Sequence, residues 1–315
     1  RMTQLDTTVA KEMLPPLWLQ GFDGMNQKES RVAIGDEECS WMENFIPIGA
    51  GNARTMYDKS ANTYTASSGI SVIYFYPFNI GSTFYHATFL SDGSAVAVNQ
   101  QTGATTIMGT AATFATGPTL PHVVQSGASG ILIVTASTNG YFAWDGTLYS
   151  PGITAPTWVT GGTTATMPTG LSGSAIEFYQ GHAWIVNGAT VTFSAPANFS
   201  NFSTAAGGGS FSSTDGFLRK NFLNVKQANG FLYLLADSSV NVISNVQTTG
   251  TTPTTTFNNQ NVDPQNGLGW RDAIVAFGRV LLFANTTGVY ALFGGSAQKI
   301  SHKINNLFSA ADFSN

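Results

Sequence analysis

Charged residues are scarce in this sequence and unevenly placed. Only 10% of its 315 residues are charged, with 13 Lys+Arg against 17 Asp+Glu, whereas ordinary soluble proteins contain about 25%. Half of them lie before position 60, and no Lys or Arg occurs from Ser60 to Leu218. Nucleic-acid binding needs clustered cations and membrane-surface binding needs a basic amphipathic face. The long stretch without Lys or Arg offers neither, so both classes are excluded for it.

Other features that the sequence lacks exclude further classes of protein. Cys39 is the single cysteine, so no internal disulfide framework is possible. The sequence has no run of about 18 apolar residues, which predicts that it does not insert into a membrane. The N-terminus lacks the basic, apolar and small-residue pattern of a signal peptide. Hydrophobic residues make up 43% of the chain and aromatic residues 12%, enough for a folded core.

Short β-branched and aromatic runs, separated by Gly, Asn, Asp, Ser and Thr, fill the chain from Ile70 onward. This pattern predicts an all-β fold. Residues 1–65 are more charged and irregular, and acidic residues around Asp36 to Asn44 are compatible with a short helix. We therefore divide the chain into an N-terminal segment, residues 1–65, and a β domain, residues 66–315.

The β domain is repetitive. A glycine turn is followed by an apolar strand, a polar turn and a second strand, and the leading glycines are Gly93, Gly130, Gly181, Gly230 and Gly278. By subtraction their spacings are 37, 51, 49 and 48 residues. Four short strands every ~40–50 residues are typical of a β-propeller blade. The sequence predicts a β-propeller of five or six blades, with residues 1–65 contributing to ring contacts and closure. A β-sandwich plus a second β domain explains the spacing less well.

No catalytic, cofactor or metal site emerges from the side chains. Among the eight acids after Lys59 only Glu177 lies within a predicted strand, and we interpret the others as turn or surface residues: Asp92, Asp145, Asp215, Asp237, Asp263, Asp272 and Asp312. A glycosidase needs two close carboxylates, and the sequence offers no convincing pair. The four histidines, His86, His122, His182 and His302, show no metal-ligand spacing. Nucleotide-binding glycine motifs are also missing.

Two further features of the sequence each allow two interpretations. The Thr/Gly/Ser stretches at residues 157–173, 204–214 and 248–256 are interpreted as inter-blade loops, which either are simply solvated or dock other subunits. Four aromatics, Trp144, Tyr149, Trp158 and Trp184, could stack on sugars in a lectin, although core packing explains Trp144 and Trp184 better.

Three segments resemble the tail nozzle family of short-tailed bacteriophages, also described as tail hub or packaged-DNA stabilisation proteins. Gly278 to Phe308 is similar to a late blade of that family, with Gly288-Val-Tyr290, Lys299-Ile-Ser301 and Ile304-Asn-Asn-Leu-Phe308 in order. Other segments that resemble the family are Gly181 to Phe202, with its Val191-x-Phe-Ser-x-Pro196, and Ile34 to Pro47. The family's basic stretch after the N-terminal segment is reduced here to Arg54.

The resemblance implies a non-enzymatic structural subunit without cofactors. It would be made in the bacterial cytoplasm and act in the virion as a homohexameric ring at the distal end of the tail. Its expected partners are its own copies, the adaptor or portal-proximal rings, tail fibres or spikes, possible host-surface contacts, and genomic DNA that passes without sequence-specific binding. The alternative is a propeller that binds a glycan or a host receptor, and a propeller glycoside hydrolase is a third, weaker one.

Overall fold

The computed structural model describes residues 24–26, 33, 38–40, 45–49, 52–55, 62–114, 120–212, 221–263, 265–293 and 296–310. The chain divides into two compact units. Arg1–Lys59 and His302–Asn315 form one unit, and Ser60–Ser301 forms the other. In the described residues, no helix is long and apolar enough to cross a lipid bilayer.

The larger unit is an all-β, five-bladed propeller, as the repeats predict. Each blade is an antiparallel sheet of four consecutive strands. Blade 1 contains β5 (Val72–Ile80), β6 (Thr83–Leu90), β7 (Ala95–Asn99) and β8 (Thr105–Gly109), and blade 2 contains β9 (His122–Ser126), β10 (Gly130–Val134), β11 (Tyr141–Trp144) and β12 (Leu148–Tyr149). Blade 3 contains β13 (Ala175–Tyr179), β14 (His182–Asn187), β15 (Thr190–Phe193) and β16 (Gly209–Ser212), and blade 4 contains β17 (Phe222–Ala228), β18 (Phe231–Ala236), β19 (Val240–Thr249) and β20 (Thr254–Asp263). Blade 5 contains β21 (Ile274–Phe277), β22 (Val280–Asn285), β23 (Gly288–Phe293) and β24 (Ser296–Lys299).

The first strand of each blade is the innermost one. Contacts join β9 to β13, β13 to β17 and β17 to β21 around the centre. The loops that lead into these strands therefore meet at one end of the propeller axis, which matters for the site described below.

The repeat assignment is correct for three leading glycines and shifted at the other two. Gly181, Gly230 and Gly278 lie in the turn between the first two strands of their blades, with positive φ angles of 77°, 79° and 59°. In blade 1 the equivalent position is Gly81 (φ 55°), because Gly93 lies one strand later, between β6 and β7. In blade 2 it is Gly127 (φ 54°), while Gly130 opens β10. This offset explains why the segment at Gly93 fits the repeat loosely.

Four apolar clusters hold neighbouring blades together. Each packs one face of a blade against the next, so that blades 1 and 2, 2 and 3, 3 and 4, and 4 and 5 are joined in series. Fully buried aromatic side chains anchor these clusters, with Trp144 between blades 1 and 2 and Trp184 between blades 3 and 4. Because inner strands are covered on both faces, they read as continuous apolar runs such as Leu232–Leu235.

The remaining faces of blades 1 and 5 carry large apolar side chains that are exposed. In blade 1, Phe75, Phe84 and Ile107 are 61%, 52% and 70% exposed, and in blade 5, Val275, Phe277 and Phe293 are 54%, 74% and 62% exposed. We call these six residues and their sheet faces the open faces. A cavity of about 310 Å³ lies on the blade 5 face, lined by Val275, Leu282 and Val289 among others. The two faces border the position at which the ring of blades closes.

Two of the three threonine-rich stretches are not inter-blade loops. Residues 157–173 do lie between blades 2 and 3 and contain a short helix, α1 (Thr157–Thr160). Residues 204–214 instead contain a 3₁₀ helix, Thr204–Ala206, and the outer strand β16. Residues 248–256 form the tip of the long β19–β20 hairpin within blade 4. Threonine suits edge strands as well as loops, so composition alone could not separate the two.

The smaller unit contains two short sheets. β1 (Gly24–Met25) pairs in parallel with β2 (Glu38–Cys39), and β3 (Phe45–Gly49) pairs antiparallel with β4 (Asn52–Thr55). The short helix expected around residues 36–44 is wrong at Glu38–Cys39, because these residues pair as a strand. In the C-terminal part, a 3₁₀ helix, His302–Ile304, precedes α2 (Asn305–Ala310). Most of residues 1–65 lies outside the described residues, so their contribution to ring contacts and closure stays a prediction.

Replacing the buried Trp184 tests the series of apolar clusters. Trp184→Ala leaves a cavity between blades 3 and 4 and is expected to lower the free energy of unfolding by about 3–5 kcal/mol, measured by urea denaturation. Ile153→Ala, at a position 55% exposed, is the control and should change it by less than about 0.5 kcal/mol. Equal effects of the two substitutions would contradict the assignment of Trp184 to the core.

Candidate functional site

Polar and ionisable side chains collect at the centre of the propeller. They come from the innermost strands of the first four blades, β5, β9, β13 and β17, and from the loop that leads into β21. We call this group the hub, and its members are Tyr74, Tyr76, His122, Gln125, Glu177, Asn224, Lys226, Arg271 and Asp272. The clusters that join neighbouring blades are apolar, and both ion pairs described within the propeller lie in the hub.

Arg271 contacts all five blades. Its guanidinium donates to the carbonyl oxygens of Leu120 and Pro121, which lead into blade 2, and of Ser174, which leads into blade 3. It lies 5.8 Å from the centre of the Tyr74 ring of blade 1. Its own carbonyl accepts a 2.6 Å hydrogen bond from Asn224 Nδ2 of blade 4, and Arg271 itself precedes β21 of blade 5.

The charge of Arg271 is balanced locally. Its Nε and Nη2 donate to the carboxylate of Asp272, the latter at 2.8 Å. Arg271 is 12% exposed and Asp272 45% exposed. A planar guanidinium presents five donors in a fixed fork, which is why one side chain can serve two loops and a carboxylate at once. Burial and the nearby Asp272 together raise the pKa of the Tyr74 hydroxyl.

A second ion pair crosses the hub. Glu177 on β13 binds Lys226 on β17 at 2.8 Å, with the carboxylate 11% exposed. The backbone N–H of Gln227 lies 3.5 Å from the same carboxylate oxygen. Burial, with Glu177 adding to it, raises the pKa of Tyr76 on β5, while Lys226 opposes the shift. Among the described residues, the contacts of Glu177 include no second carboxylate.

His122 is the buried base of the hub. Its Nδ1 accepts a 3.2 Å hydrogen bond from the backbone N–H of Ile176, which fixes the ring between blades 2 and 3. Burial lowers the pKa of this imidazole to about 3, and the positive charges of Arg271 and Lys226 act in the same direction. His122 is therefore neutral at physiological pH and serves as an acceptor.

A cavity of about 570 Å³ opens beside Arg271 at this end of the propeller. We call it the hub cavity. Its wall combines backbone and apolar groups with two aromatic rings, of which Trp270 is exposed, and several polar side chains. The residues that line it are Leu120, Ala136, Gly173, Ser174, Asn187, Gly188, Asn221, Phe222, Leu223, Trp270, Arg271 and Asp272. Its size falls within the usual range of small-ligand sites, roughly 300–1,000 Å³.

The acids that the sequence analysis assigns to turns behave in several ways. Asp92 accepts hydrogen bonds from Ser94, and Asp263 accepts from the backbone of Gln265 and Asn266, as turn residues do. Asp145 also binds the indole N–H of Trp158 at 2.9 Å. Asp272 is exposed, as expected of a surface acid, and it also pairs with Arg271 in the hub. Asp215 and Asp312 lie outside the described residues.

The histidines lie apart from one another. His86 packs edge-on against Phe75, and His182 is buried, with its Nδ1 2.5 Å from the Ser194 carbonyl oxygen. His302 begins a 3₁₀ helix of the smaller unit. Within the described part of the chain, no group of three or more His, Cys, Asp and Glu side chains could hold a metal ion.

The aromatic residues proposed for sugar stacking do not form a surface. Trp144 and Trp184 are 2% and 0% exposed, so core packing is the correct interpretation for both. Trp158 is tied to Asp145, and Tyr149 is half-buried in the same region. The sequence analysis missed Trp270 and Arg271. The scarcity of cations after Ser60 was the available signal, because an isolated cation just before an inner strand needs a partner.

Comparison with known proteins gives only distant structural similarities. No family model matches the chain, and no curated protein matches it. Among solved structures, PorZ, a surface component of the type-IX secretion system of Porphyromonas gingivalis, aligns at 10% identity and a TM-score of 0.44 over 69% of this chain. Raptor of Chaetomium thermophilum aligns at 9% identity and a TM-score of 0.47 over 75%. The alignments span 25% and 21% of those proteins.

Removal of the Arg271 guanidinium tests its structural role. Arg271→Ala leaves several carbonyl oxygens and the Asp272 carboxylate without their donor, and we expect a loss of at least about 2 kcal/mol in the free energy of unfolding. Arg279→Ala is the matched control, because Arg279 lies exposed in the turn before β22. Urea denaturation measures both variants, and equal stability of the two would contradict the role given to Arg271.

His122 makes stability depend on pH. The unfolded chain takes up a proton at this imidazole below about pH 6.5, whereas the folded protein resists protonation until about pH 3. Stability is therefore lost as the pH falls through this window, by at most about 1.4 kcal/mol per pH unit. His122→Gln keeps an acceptor without the titration, so its urea midpoint should fall less steeply from pH 7 to pH 4 than that of the wild type. Parallel curves would contradict this assignment.

Proposed function

We propose that this protein is a non-enzymatic structural subunit of the tail nozzle of a short-tailed bacteriophage. Its copies assemble into a homohexameric ring at the distal end of the tail, below the portal and adaptor rings. The ring closes the DNA channel until infection, conducts the genome during ejection and contacts the tail fibres. The resemblance of three ordered segments to that family motivates the proposal, and the five-bladed propeller is compatible with it.

The open faces carry the assembly part of the proposal. Seven of the ten large hydrophobic side chains that are exposed in the described residues belong to strands of blades 1 and 5. Soluble monomers rarely leave contiguous apolar patches of this kind uncovered, and such patches usually mark interfaces. In a permanently assembled ring, neighbouring copies of the subunit would cover these patches.

Low charge supports the conduit part. The described cations of the hub are paired internally, Lys226 with Glu177 and Arg271 with Asp272. From Ser60 to Leu218 the chain has no Lys or Arg at all. DNA slides past such a surface because each phosphate contact would otherwise displace counterions and add to the affinity. A conduit wall of Thr, Ser, Asn and Gly does not hold what passes through it.

Residues 1–65 complete the proposal. They carry the family-like segment from Ile34 to Pro47 and half of all the charged residues. We assign them ring contacts, attachment to the adaptor and a share in closure of the propeller.

Deletion of residues 1–59 tests this assignment separately from the open faces, because it should abolish attachment to purified tails while the propeller still unfolds cooperatively.

Charged substitutions on the open faces test assembly. Phe75→Glu with Phe277→Glu would place unpaired carboxylates in an apolar interface, and we expect the subunit dissociation constant to rise at least about a hundredfold. Light scattering after size exclusion measures the mass, and negative-stain electron microscopy shows whether rings of six form. Ile153→Glu changes an exposed residue outside the open faces and is the control.

Three outcomes separate the possibilities. Rings of six copies that the double substitution dissociates support the proposal. A wild-type protein that stays monomeric at high concentration and is missing from purified tails would refute it. A monomer that the double substitution destabilises would mean that the chain covers its own open faces, which removes the argument for a ring of copies.

A further inference from the structure

We propose that the hub cavity is a binding site for a neutral saccharide, with one sugar ring stacked on the indole of Trp270. The inference goes beyond the nozzle function, which needs no small ligand. It rests on the shape of the cavity, on its one exposed aromatic ring, on its uncharged polar rim and on its balanced charge.

The cavity combines a stacking surface with the volume that a short oligosaccharide needs. Trp270 lines it and is 36% exposed, in contrast to the buried Trp144 and Trp184. A sugar ring has an apolar face made of C–H groups, which packs well on the flat indole. At about 570 Å³ the cavity has room for more than one sugar ring.

The polar rim supplies hydrogen-bonding groups suited to hydroxyls. Asn187 and Asn221 line the cavity and are exposed, and Ser174 lies beside them. The Asn187 amide already donates to Ser172 at 3.1 Å, which orients its side chain. A carboxamide offers both donors and acceptors, and saccharide hydroxyls also act in both ways. This rim matches a polyhydroxylated ligand better than an apolar one.

A glycine keeps the wall of the cavity open next to Asn221. Gly188 has a φ angle of +58°, and a Cβ added there would stand 3.6 Å from Asn221 Oδ1. Any other residue at this position would adopt an unfavourable backbone conformation and fill the space in front of the amide. The backbone thus leaves the Asn221 side chain accessible from the cavity.

The charge of the cavity favours a neutral ligand over an anionic one. Arg271 is the cation that lines it, and its Nε and Nη2 already donate to Asp272 while its other donors bind carbonyl oxygens. A phosphate or a sialic acid would need free cationic donors and would meet the exposed carboxylate of Asp272. A neutral sugar needs no free cationic donor and is not repelled by the Asp272 carboxylate.

Binding of defined trisaccharides to the full chain tests the proposal. Isothermal titration calorimetry is performed with cellotriose, maltotriose and chitotriose, and with sialyllactose as the anionic comparison. We expect at least one neutral trisaccharide to bind and sialyllactose not to bind. Trp270→Ala should weaken the neutral ligand about tenfold or more, while Trp270→Phe should stay within about threefold of the wild type, because a phenyl ring still stacks.

Matched variants keep the test independent of folding and assembly. Asn221→Ala should weaken the neutral ligand about fivefold through the lost hydrogen bonds, and Ile153→Ala, outside the cavity, should leave it unchanged. Thermal unfolding confirms that each variant is folded. The proposal is overturned if none of the three neutral trisaccharides binds, if Trp270→Ala binds as the wild type does, or if sialyllactose binds better than all of them.

Discussion

One guanidinium holds together the end of the propeller at which the inner strands begin. Arg271 reaches the loops that lead into blades 2 and 3, lies against Tyr74 of blade 1, is bound through its carbonyl by Asn224 of blade 4 and starts blade 5. The carbonyl oxygens around it are crowded at the axis, and a single forked cation satisfies them together. Arg271 also lines the hub cavity, and its charge adds to the burial that lowers the pKa of His122 and keeps that imidazole neutral.

The architecture was predictable because it depends on local patterns. Strand runs, turn glycines and a spacing near 50 residues are properties of short segments, and they predicted an all-β propeller with the blades at Gly181, Gly230 and Gly278 in place. Blade 1 was misaligned because two of its turns contain glycine, Gly81 and Gly93, and the pattern matched the second. Residues 248–256 are wrongly predicted as an inter-blade loop instead of the tip of the β19–β20 hairpin, because threonine fits both states.

The hub was not predictable because its partners are far apart in sequence. Arg271 and Leu120 are 151 residues apart, and Glu177 and Gln227 are 50 apart. Their residue types give no signal either. The sequence alone indicates a surface acid at Asp272, and His122 is one of four histidines without metal-ligand spacing. Trp270 differs from Trp144 and Trp184 only in its place, in a leading loop instead of a repeat strand. Such distinctions arise only when the blades close around one axis.

Among the described residues, the apolar clusters join the blades in sequence from the first to the fifth, and none of them joins the fifth back to the first. In its apolar packing the propeller is thus a linear array with two terminal members, although its blades surround one axis and Arg271 reaches Tyr74 of blade 1. In such an array a terminal repeat has one stabilising neighbour and an internal repeat has two. Blades 1 and 5 are then the units that open first in local unfolding, and blade 3 is the last. A cover over the open faces would convert the array into a cycle and equalise the five blades.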